Sequence, residues 1–435
     1  MSEQKILDCL EEHPAGLSIS DIAEETELHR NTISPKIEEL VEDGEVEKKE
    51  VGTAKLYYLK EHAGLHEMES QYEGENINVG IGVSDLSDGF DAAQSAAKQA
   101  ANQASGGEQP TFSLVFVSSE YNDQIEQVTK GFNKILGEDW IGCTSDSELN
   151  SILGFSQGTL EVLSINSKYL HFSPVLVEDY RDDPETKAEK ATQKAVSQAN
   201  IERSVHATSQ YMRSTKKSFS DIIKNPPYFV LTFPGGAYIN EDHELVPGRE
   251  VEFLQGIKNT LGPHIPILGG SASLKVEKNF SGEVGANYVF ANGKYAKSGA
   301  ITCFVVSELY FSYGLEHGFK PTNKNTVITD ISGNGRIINE LNNKPALEEY
   351  LKLLGKSEDE ISKKSIQNFI KNPISIFDAS QNIYPKVSIP SPNDDPFLEG
   401  SFKYGKGQSV MISEFDLEKS IDALKGSIDN SLEGR

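Results

Sequence analysis

Apolar residues near the start of the chain recur at helical spacing. Ile6, Leu7 and Leu10 share one side of residues 3–12, which predicts a first helix. Ser20 is the expected N-cap of a short second helix, with Asp21 and Glu24 near its positive end and Ile22 and Ala23 facing inward. The turn Glu27-Leu28-His29 leads into a third helix from about Arg30 to Asp43, whose inner face is Ile33, Ile37, Leu40 and Val41. Gly44 follows as a C-terminal glycine. The period then changes: Val46 opens an extended run, Gly52-Thr53-Ala54 makes a tip, and Lys55 to Leu59 return as a second strand.

Residues 61–76 are polar, contain Gly64 and Gly74, and predict a linker. Beyond them one pattern occurs twice. The apolar strands Phe112-Ser-Leu-Val-Phe-Val-Ser and Tyr228-Phe-Val-Leu-Thr-Phe-Pro are each followed by a polar loop and an amphipathic helix. Those helices end Gly131-Phe-Asn-Lys-Ile-Leu-Gly and Gly256-Ile-Lys-Asn-Thr-Leu-Gly. A short strand opening into small residues follows in each, at Asp139-Trp-Ile-Gly-Cys-Thr-Ser-Asp and Pro266-Ile-Leu-Gly-Gly-Ser-Ala-Ser, and then another strand, at Leu160 and at Ala300. Helices precede both copies, at Ala92 to Ala104 and about Thr186 to Asn200, and the later copy has the longer loop, around Gly235 to Pro247. Duplicated strand-helix-strand-hairpin units imply an α/β architecture of mixed sheets covered by helices.

The order at the N-terminus, three helices and a hairpin, is that of a winged helix-turn-helix. The stretch from Leu17 to Val46 resembles the winged-helix regulators of bacteria and archaea. That likeness implies double-stranded DNA as a partner, and the charge pattern bears on it. The chain carries a formal net charge of -25, which disfavours non-specific nucleic-acid binding, so DNA contact requires a local basic patch. Five basic residues, Arg30, Lys36, Lys48, Lys49 and Lys55, fall on the third helix and the hairpin. Arg30, Asn31, Thr32 and Lys36 are therefore assigned to the major groove, and Lys48, Lys49, Thr53 and Lys55 to the phosphate backbone. Pro35, inside the third helix, is expected to kink it or to move its start. A solvated charged surface used for protein contacts is the alternative.

No run of about 18 apolar residues occurs and no basic-then-apolar leader opens the chain, so a cytoplasmic protein is expected. Three scattered cysteines, Cys9, Cys143 and Cys303, give neither a disulfide framework nor a zinc site, and no cofactor is expected. Glu241-Asp242-His243-Glu244 reads as an exposed acidic loop. Four small-residue turns at strand ends are the candidate ligand site: Ser118-Ser119, Gly142-Cys143-Thr144-Ser145, Pro234-Gly235-Gly236-Ala237 and Gly269-Gly270-Ser271-Ala272. Glycine lets backbone approach a ligand, free amides receive a carboxylate, and the hydroxyls of Thr144, Ser145 and Ser271 orient polar groups. The competing reading gives these glycines to tight turns and close packing. Cys143 is more readily a packed thiol than a nucleophile, because no histidine is placed by sequence to activate it.

Gly142-Cys-Thr-Ser-Asp-Ser-Glu resembles a turn of the FIST sensory domain, and Pro266-Ile-Leu-Gly-Gly-Ser-Ala with Tyr288-Val-Phe-Ala-Asn-Gly is similar to its second half. Gly314, Pro321, Val327-Ile-Thr, Gly333-Asn-Gly, Leu341-Asn-Asn-Lys-Pro-Ala-Leu, Asn372-Pro-Ile and Tyr384-Pro-Lys match its C-terminal part, so the likeness spans roughly residues 80–425. It implies a ligand-binding input domain of signal transduction, with amino acids among the proposed ligands, and the protein is expected not to be an enzyme. Ser147 stands where the family usually has glycine before the glutamate, and the aspartate common after Gly-Gly-Ser-Ala is absent, so ligand identity does not carry over. The expected division is a DNA-binding domain at 1–60, a linker at 61–76, a FIST N-terminal-like domain at 77–305 and a C-terminal-like domain at 306–428. The expected whole is a ligand-responsive regulator that binds DNA as a homodimer. An enzyme using Cys143 and an adaptor whose winged helix binds protein are the alternatives.

Overall fold

The computed structural model describes residues 2–13, 17–26, 28–51, 54–60, 77–150, 152–199, 227–243, 245–273, 284–309, 311–357, 367–378, 382–390, 395–400 and 402–433. Thr53 and the linker 61–76 lie outside the described residues. The N-terminal unit comprises α1 (Ser2–Glu12), α2 (Ile19–Thr26), α3 (Arg30–Glu42) and an antiparallel hairpin of β1 (Val46–Val51) and β2 (Ala54–Leu59). Ile6, Leu10, Ile22, Ile33, Ile37, Leu40, Val46 and Tyr57 close its core. The cap of α2 is Ser18, not Ser20. The Asp21 amide donates to Ser18 Oγ (3.3 Å) and the Ser18 amide donates to Asp21 Oδ2 (3.1 Å). Ser18 wins because it has a carboxylate three residues on, which completes a reciprocal capping pair, whereas Ser20 has Ala23 there. Hydrogen bonds from Ser18 hold the Asp21 carboxyl below its ordinary range. Pro35 does not move the start of α3, which begins at Arg30 behind the cap residue His29 and continues through the proline to Glu42.

The next unit runs β3 (Asn78–Ser84), α4 (Gly89–Ser105), β4 (Phe112–Ser118), α5 (Ile125–Leu136), β5 (Trp140–Ser145), a small hairpin of β6 (Glu148–Asn150) and β7 (Gly154–Ser156), and β8 (Leu160–Asn166). Its counterpart runs β9 (Leu170–Val177), α6 (Pro184–Gln198), β10 (Tyr228–Thr232), the short pair β11 (Tyr238–Ile239) and β12 (Leu245–Val246), α7 (Glu250–Leu261) and β13 (Ile267–Gly269). It ends with β14 (Tyr288–Ala291), β15 (Lys294–Lys297) and β16 (Ala300–Ser307). The first sheet has the order β15-β14-β5-β4-β8-β3 and the second β13-β10-β16-β9. The duplication is therefore carried into topology: β3-β8-β4-β5 corresponds to β9-β16-β10-β13. In each half only the β4–β5 or β10–β13 pairing is parallel. The hairpin of β14 and β15 belongs by sequence to the second half, yet it extends the first sheet beside β5, with Val289 opposite Cys143.

Alternation along the strands sorts residues into layers. Val115, Val117, Trp140, Leu160 and Val162 face α4 and α5, where Ala92, Ala96, Ala100, Val128 and Phe132 meet them. Val175, Val230, Phe304 and Val306 face α6 and α7. The opposite strand faces, including Phe112, Ile141, Cys143, Ile301, Cys303 and Val305, pack on each other, and Phe112 stacks on Phe172 at 3.9 Å between ring centroids. The result is four layers, helix-sheet-sheet-helix.

The remaining chain forms β17 (Phe319–Lys320), β18 (Asn325–Ser332), β19 (Ile337–Leu341), β20 (Lys344–Pro345), α8 (Ala346–Leu354), α9 (Gln367–Lys371), β21 (Ile374–Phe377), β22 (Ile383–Lys386), β23 (Ser388–Pro390), β24 (Leu398–Gly400), β25 (Ser409–Ile412), β26 (Glu414–Phe415) and α10 (Leu417–Glu433). An antiparallel sheet of order β22-β21-β25-β18-β19-β24-β23 carries α8 on its own core of Ile328, Ile338, Leu347, Tyr350, Phe369 and Val410. Glu252 on α7 ties this sheet to the second unit. Its carboxylate meets Arg336 (3.2 Å), Lys403 (3.0 Å) and Arg249 (3.1 Å). Burial pushes the Glu252 carboxyl upward, and these cations outweigh it and hold the group below its ordinary range.

Candidate nucleic-acid interface and sensory site

On α3 the 3.6-residue repeat places Asn31, Pro35, Glu38 and Glu42 opposite the buried Ile33, Ile37 and Leu40. Arg30, Asn31 and Thr32 are exposed at the first turn, where amides and the helix dipole favour an anion. Arg30 and Lys36 fall on opposite flanks, and Lys36 is half-buried, so the third helix does not gather its two cations. The hairpin brings Lys48 back to the helix: its ammonium meets Glu38 Oε2 at 2.7 Å, and Tyr57 donates to Glu38 Oε1 at 3.1 Å. The Lys48 hydrogen bond holds the Glu38 carboxyl below the ordinary carboxylate range, and the charge of Lys55 acts in the same direction. Lys55 is exposed, and Lys49 lies on β1 in register with Leu56. Sequence reasoning missed Glu38, an anion in the middle of the cationic face; the only signal was its place on the outer side of α3.

Of the four small-residue segments, one is not a turn where expected. Gly142, Cys143 and Thr144 lie within β5, and the turn starts only after Ser145. A Cβ on Gly142 would stand 1.8 Å from the Val115 carbonyl oxygen, so this glycine serves strand packing. Cys143 lies between the two sheets, where burial, with the charge of Glu148 adding to it, pushes the thiol up to about 12. It packs as a small apolar residue and is not poised as a nucleophile.

The strand ends do converge. Ser118 and Ser145 are neighbours across the β4–β5 ladder. Beyond β5, the Ser273 amide donates to the Thr144 carbonyl at 2.9 Å, joining the first half to the loop after β13. The Thr144 hydroxyl accepts from the Tyr288 amide at 3.0 Å. Gly235 and Ala272 form a bridge that continues the β10–β13 pairing. The Gly235 and Gly236 amides are already engaged, by Gly299 O (2.8 Å) and Ala272 O (2.9 Å), so they are not the free donors expected for a carboxylate. Gly269, Gly270 and Ser271 are exposed, and Ser271 Oγ donates to Glu250 Oε1 at 3.1 Å.

Several residues at this convergence escaped sequence reasoning because they are single polar residues far apart in the chain. Arg181 donates to the carbonyls of Gly235, Gly236 and Pro247 and lies over the rings of Tyr180 and Tyr238. Buried Asn287 donates to Gly236 O at 2.8 Å. Arg181 Nε, Glu250 Oε2, Asn287 Oδ1, Ser298 Oγ and Asp146 Oδ1 are buried with no hydrogen-bond partner among the described residues. Native proteins leave few such atoms unsatisfied, and Asn287, Ser298 and Glu250 lie against Gly235 and Gly236, where another part of the chain, a water or a ligand group completes the bonding. On the first-half side a second network links Ser145 to Glu148, Glu148 to Thr159 (3.4 Å), and Ser156 to Glu161 (2.6 Å). Burial, with the charges of Glu161 and Asp146 and against the Ser145 hydrogen bond, pushes Glu148 up to about 7.

The FIST N domain matches residues 75–344, well over half of the chain. The chain belongs to the FIST family. Ahead of that region, the IclR helix-turn-helix domain matches residues 5–50, covering most of α1, all of α2 and α3, and most of β1. No curated protein matches the chain in sequence. The FIST chain thus carries a DNA-binding helix-turn-helix of a transcription regulator in front of a sensory region, and both matched families are regulatory, not enzymatic. Among the described residues no helix is long and apolar enough to cross a membrane, and no group of three or more His, Cys, Asp or Glu is placed to hold a metal ion.

Proposed function

We propose that this protein is a one-component transcriptional regulator: the winged helix (1–60) binds double-stranded DNA, and a small molecule bound in the FIST-like region (77–305, with a C-terminal-like domain at 306–428) shifts that binding. The linker 61–76 connects them, and the protein works in the cytoplasm as a homodimer on two half-sites. Arg30, Asn31 and Thr32 enter the major groove with Lys36 at the flank, and Lys48, Lys49, Thr53 and Lys55 hold phosphates. The ligand sits where Ser118, Ser145, Gly235, Gly236, Gly269, Gly270 and Ser271 approach one another. Within that site Gly142, Cys143 and Thr144 supply the wall behind it, and an amino acid is among the ligands. One observation carries the sensory part: the Ser273–Thr144 hydrogen bond joins the strand ends of both halves beside the cluster of unsatisfied polar atoms.

Fluorescence anisotropy with a duplex from the gene's own promoter tests the DNA reading. Binding at low salt is expected to weaken as salt rises, and Lys48→Glu with Lys55→Glu to reduce the salt slope by about two. Equal binding by wild type and variant at every salt concentration would remove the DNA-binding role of the wing. Thermal-shift measurements with amino acids and other small metabolites test the sensory reading, because a ligand of the folded state raises the melting temperature.

A further inference from the structure

The C-terminal helix α10 docks with its small side, not its apolar one. Gly318 lies against Ser420, and Gly314 against the carbonyl of Ser427, seven residues and two turns further along; a Cβ on Gly314 would stand 2.0 Å from that oxygen. Lys419 Nζ donates to Phe319 O at 2.8 Å, and Asp416 caps the helix by accepting from the Lys419 amide at 2.7 Å. The face left outward carries Leu417, Ile421 and Ile428, spaced four and seven apart, which fits the seam of a coiled coil. Leu417, Ile421 and Ile428, with the neighbouring Tyr313, Leu315 and Phe415, are between 41% and 80% exposed. Single exposed apolar residues are ordinary, but Leu417, Ile421 and Ile428 repeat along one side of one helix, and an apolar stripe left on a helix marks an association surface.

We infer that this face pairs with the same face of a second copy, the two α10 helices running antiparallel across a two-fold axis. Charge selects this occupant. On the edge of the seam away from the body stand Glu418 and Lys425. When two seams align antiparallel, position 417 meets 428 of the second copy, with Ile421 next to the two-fold axis. Glu418 of each then lies beside Lys425 of the other, so both pairs along that edge are matched at once, as a self-complementary two-fold interface requires. A parallel pair would set Lys425 beside Ser420 and lose both matches. A stable interface needs about 800 Å² per partner, and Leu417, Ile421 and Ile428, each more than half exposed, supply its apolar centre. The inference assigns a surface to the homodimer proposed above and rests on that reading for its use.

Light scattering after size-exclusion chromatography of the full chain, over a dilution series, provides the test. A dimer is expected. Ile421→Glu and Ile428→Glu are each expected to raise its dissociation constant about a hundredfold or more, because each change occurs twice in a symmetric pair. Glu418→Lys or Lys425→Glu alone is expected to weaken the dimer, and the two together to restore it, which distinguishes pairing from a damaged helix. A wild-type monomer at all concentrations, a dimer indifferent to the apolar changes, or failure of the double charge swap to restore association overturns the inference. Anisotropy on promoter DNA, read on the same variants, keeps the two readings apart: a dimer built elsewhere leaves DNA binding intact and sinks only this surface.

Discussion

Glu38 on α3 reaches the hairpin, and its charge works in two directions. It fixes Lys48 at 2.7 Å, yet it repels any phosphate that Lys48 would meet. The pair is half-exposed, so its own worth to stability is about 0.2–1 kcal/mol. Glu38→Gln is therefore expected to tighten promoter binding several-fold while moving the unfolding midpoint little, as anisotropy and urea titration would show. Glu148 gives the second prediction at this scale. Its folded-state pKa, about 7, lies above the ordinary carboxylate value, so the folded protein holds the proton through a window in which the unfolded chain has lost it. Stability from this group is full below the unfolded pKa and falls as pH rises towards 7. Glu148→Gln is expected to keep the network and lose that slope, so the melting temperatures of variant and wild type should diverge between pH 5 and pH 8, the wild type dropping further.

Gly131 and Gly256 occupy corresponding places in α5 and α7, and both exist for the same contact. A Cβ on Gly131 would stand 2.6 Å from Phe90 O of α4, and one on Gly256 would stand 2.2 Å from Glu185 O of α6. In an ordinary helix interior, alanine for glycine gains about 0.5–1 kcal/mol. Here overpacking against backbone reverses the sign, and each Gly→Ala is expected to cost about 1–3 kcal/mol in chemical denaturation. The repeat was legible in the sequence because these glycines, the flanking leucines and the closing glycines recur at one spacing in both halves. The winged helix was legible for a like reason, since its inner faces follow the helical period. Gly142-Cys143-Thr144 was misplaced because glycine beside a hydroxyl residue suggests a turn, while close approach of β4 also requires a residue with no side chain. The polar groups around Gly235 were not legible at all: Arg181, Glu250 and Asn287 are brought together only by tertiary folding, and no spacing announces it. The edge of the first sheet shows the same economy of position. Gln99 and Gln103 of α4 reach back to hydrogen-bond the backbone of β3 at Val83 and Ile81, covering an edge that strand alternation alone leaves open.

For the whole molecule, Glu252 is the strongest polar tie between the second α/β unit and the C-terminal sheet among the described residues. It lies in the first turn of α7, which begins at Glu250, so the partner of Ser271 and the partner of Arg336 and Lys403 stand on one helix turn. Breaking a buried ion pair by removing one partner costs about 3–5 kcal/mol. Glu252→Ala is expected to lose at least the lower part of that range and to separate the unfolding of the C-terminal sheet into its own transition, visible by calorimetry. A single unchanged transition would show that the apolar contacts alone hold the two parts together.

The exchanged hairpin has a consequence for how the chain is made. β14 and β15 are encoded after β13 but complete the sheet that begins at β3, so the whole chain from Asn78 through Lys297 must be made before the outer border of that first sheet is filled. A fragment cut between the halves, however well each resembles the other, would present β5 as a raw border. The first half therefore reaches its full sheet only with two strands supplied by the second.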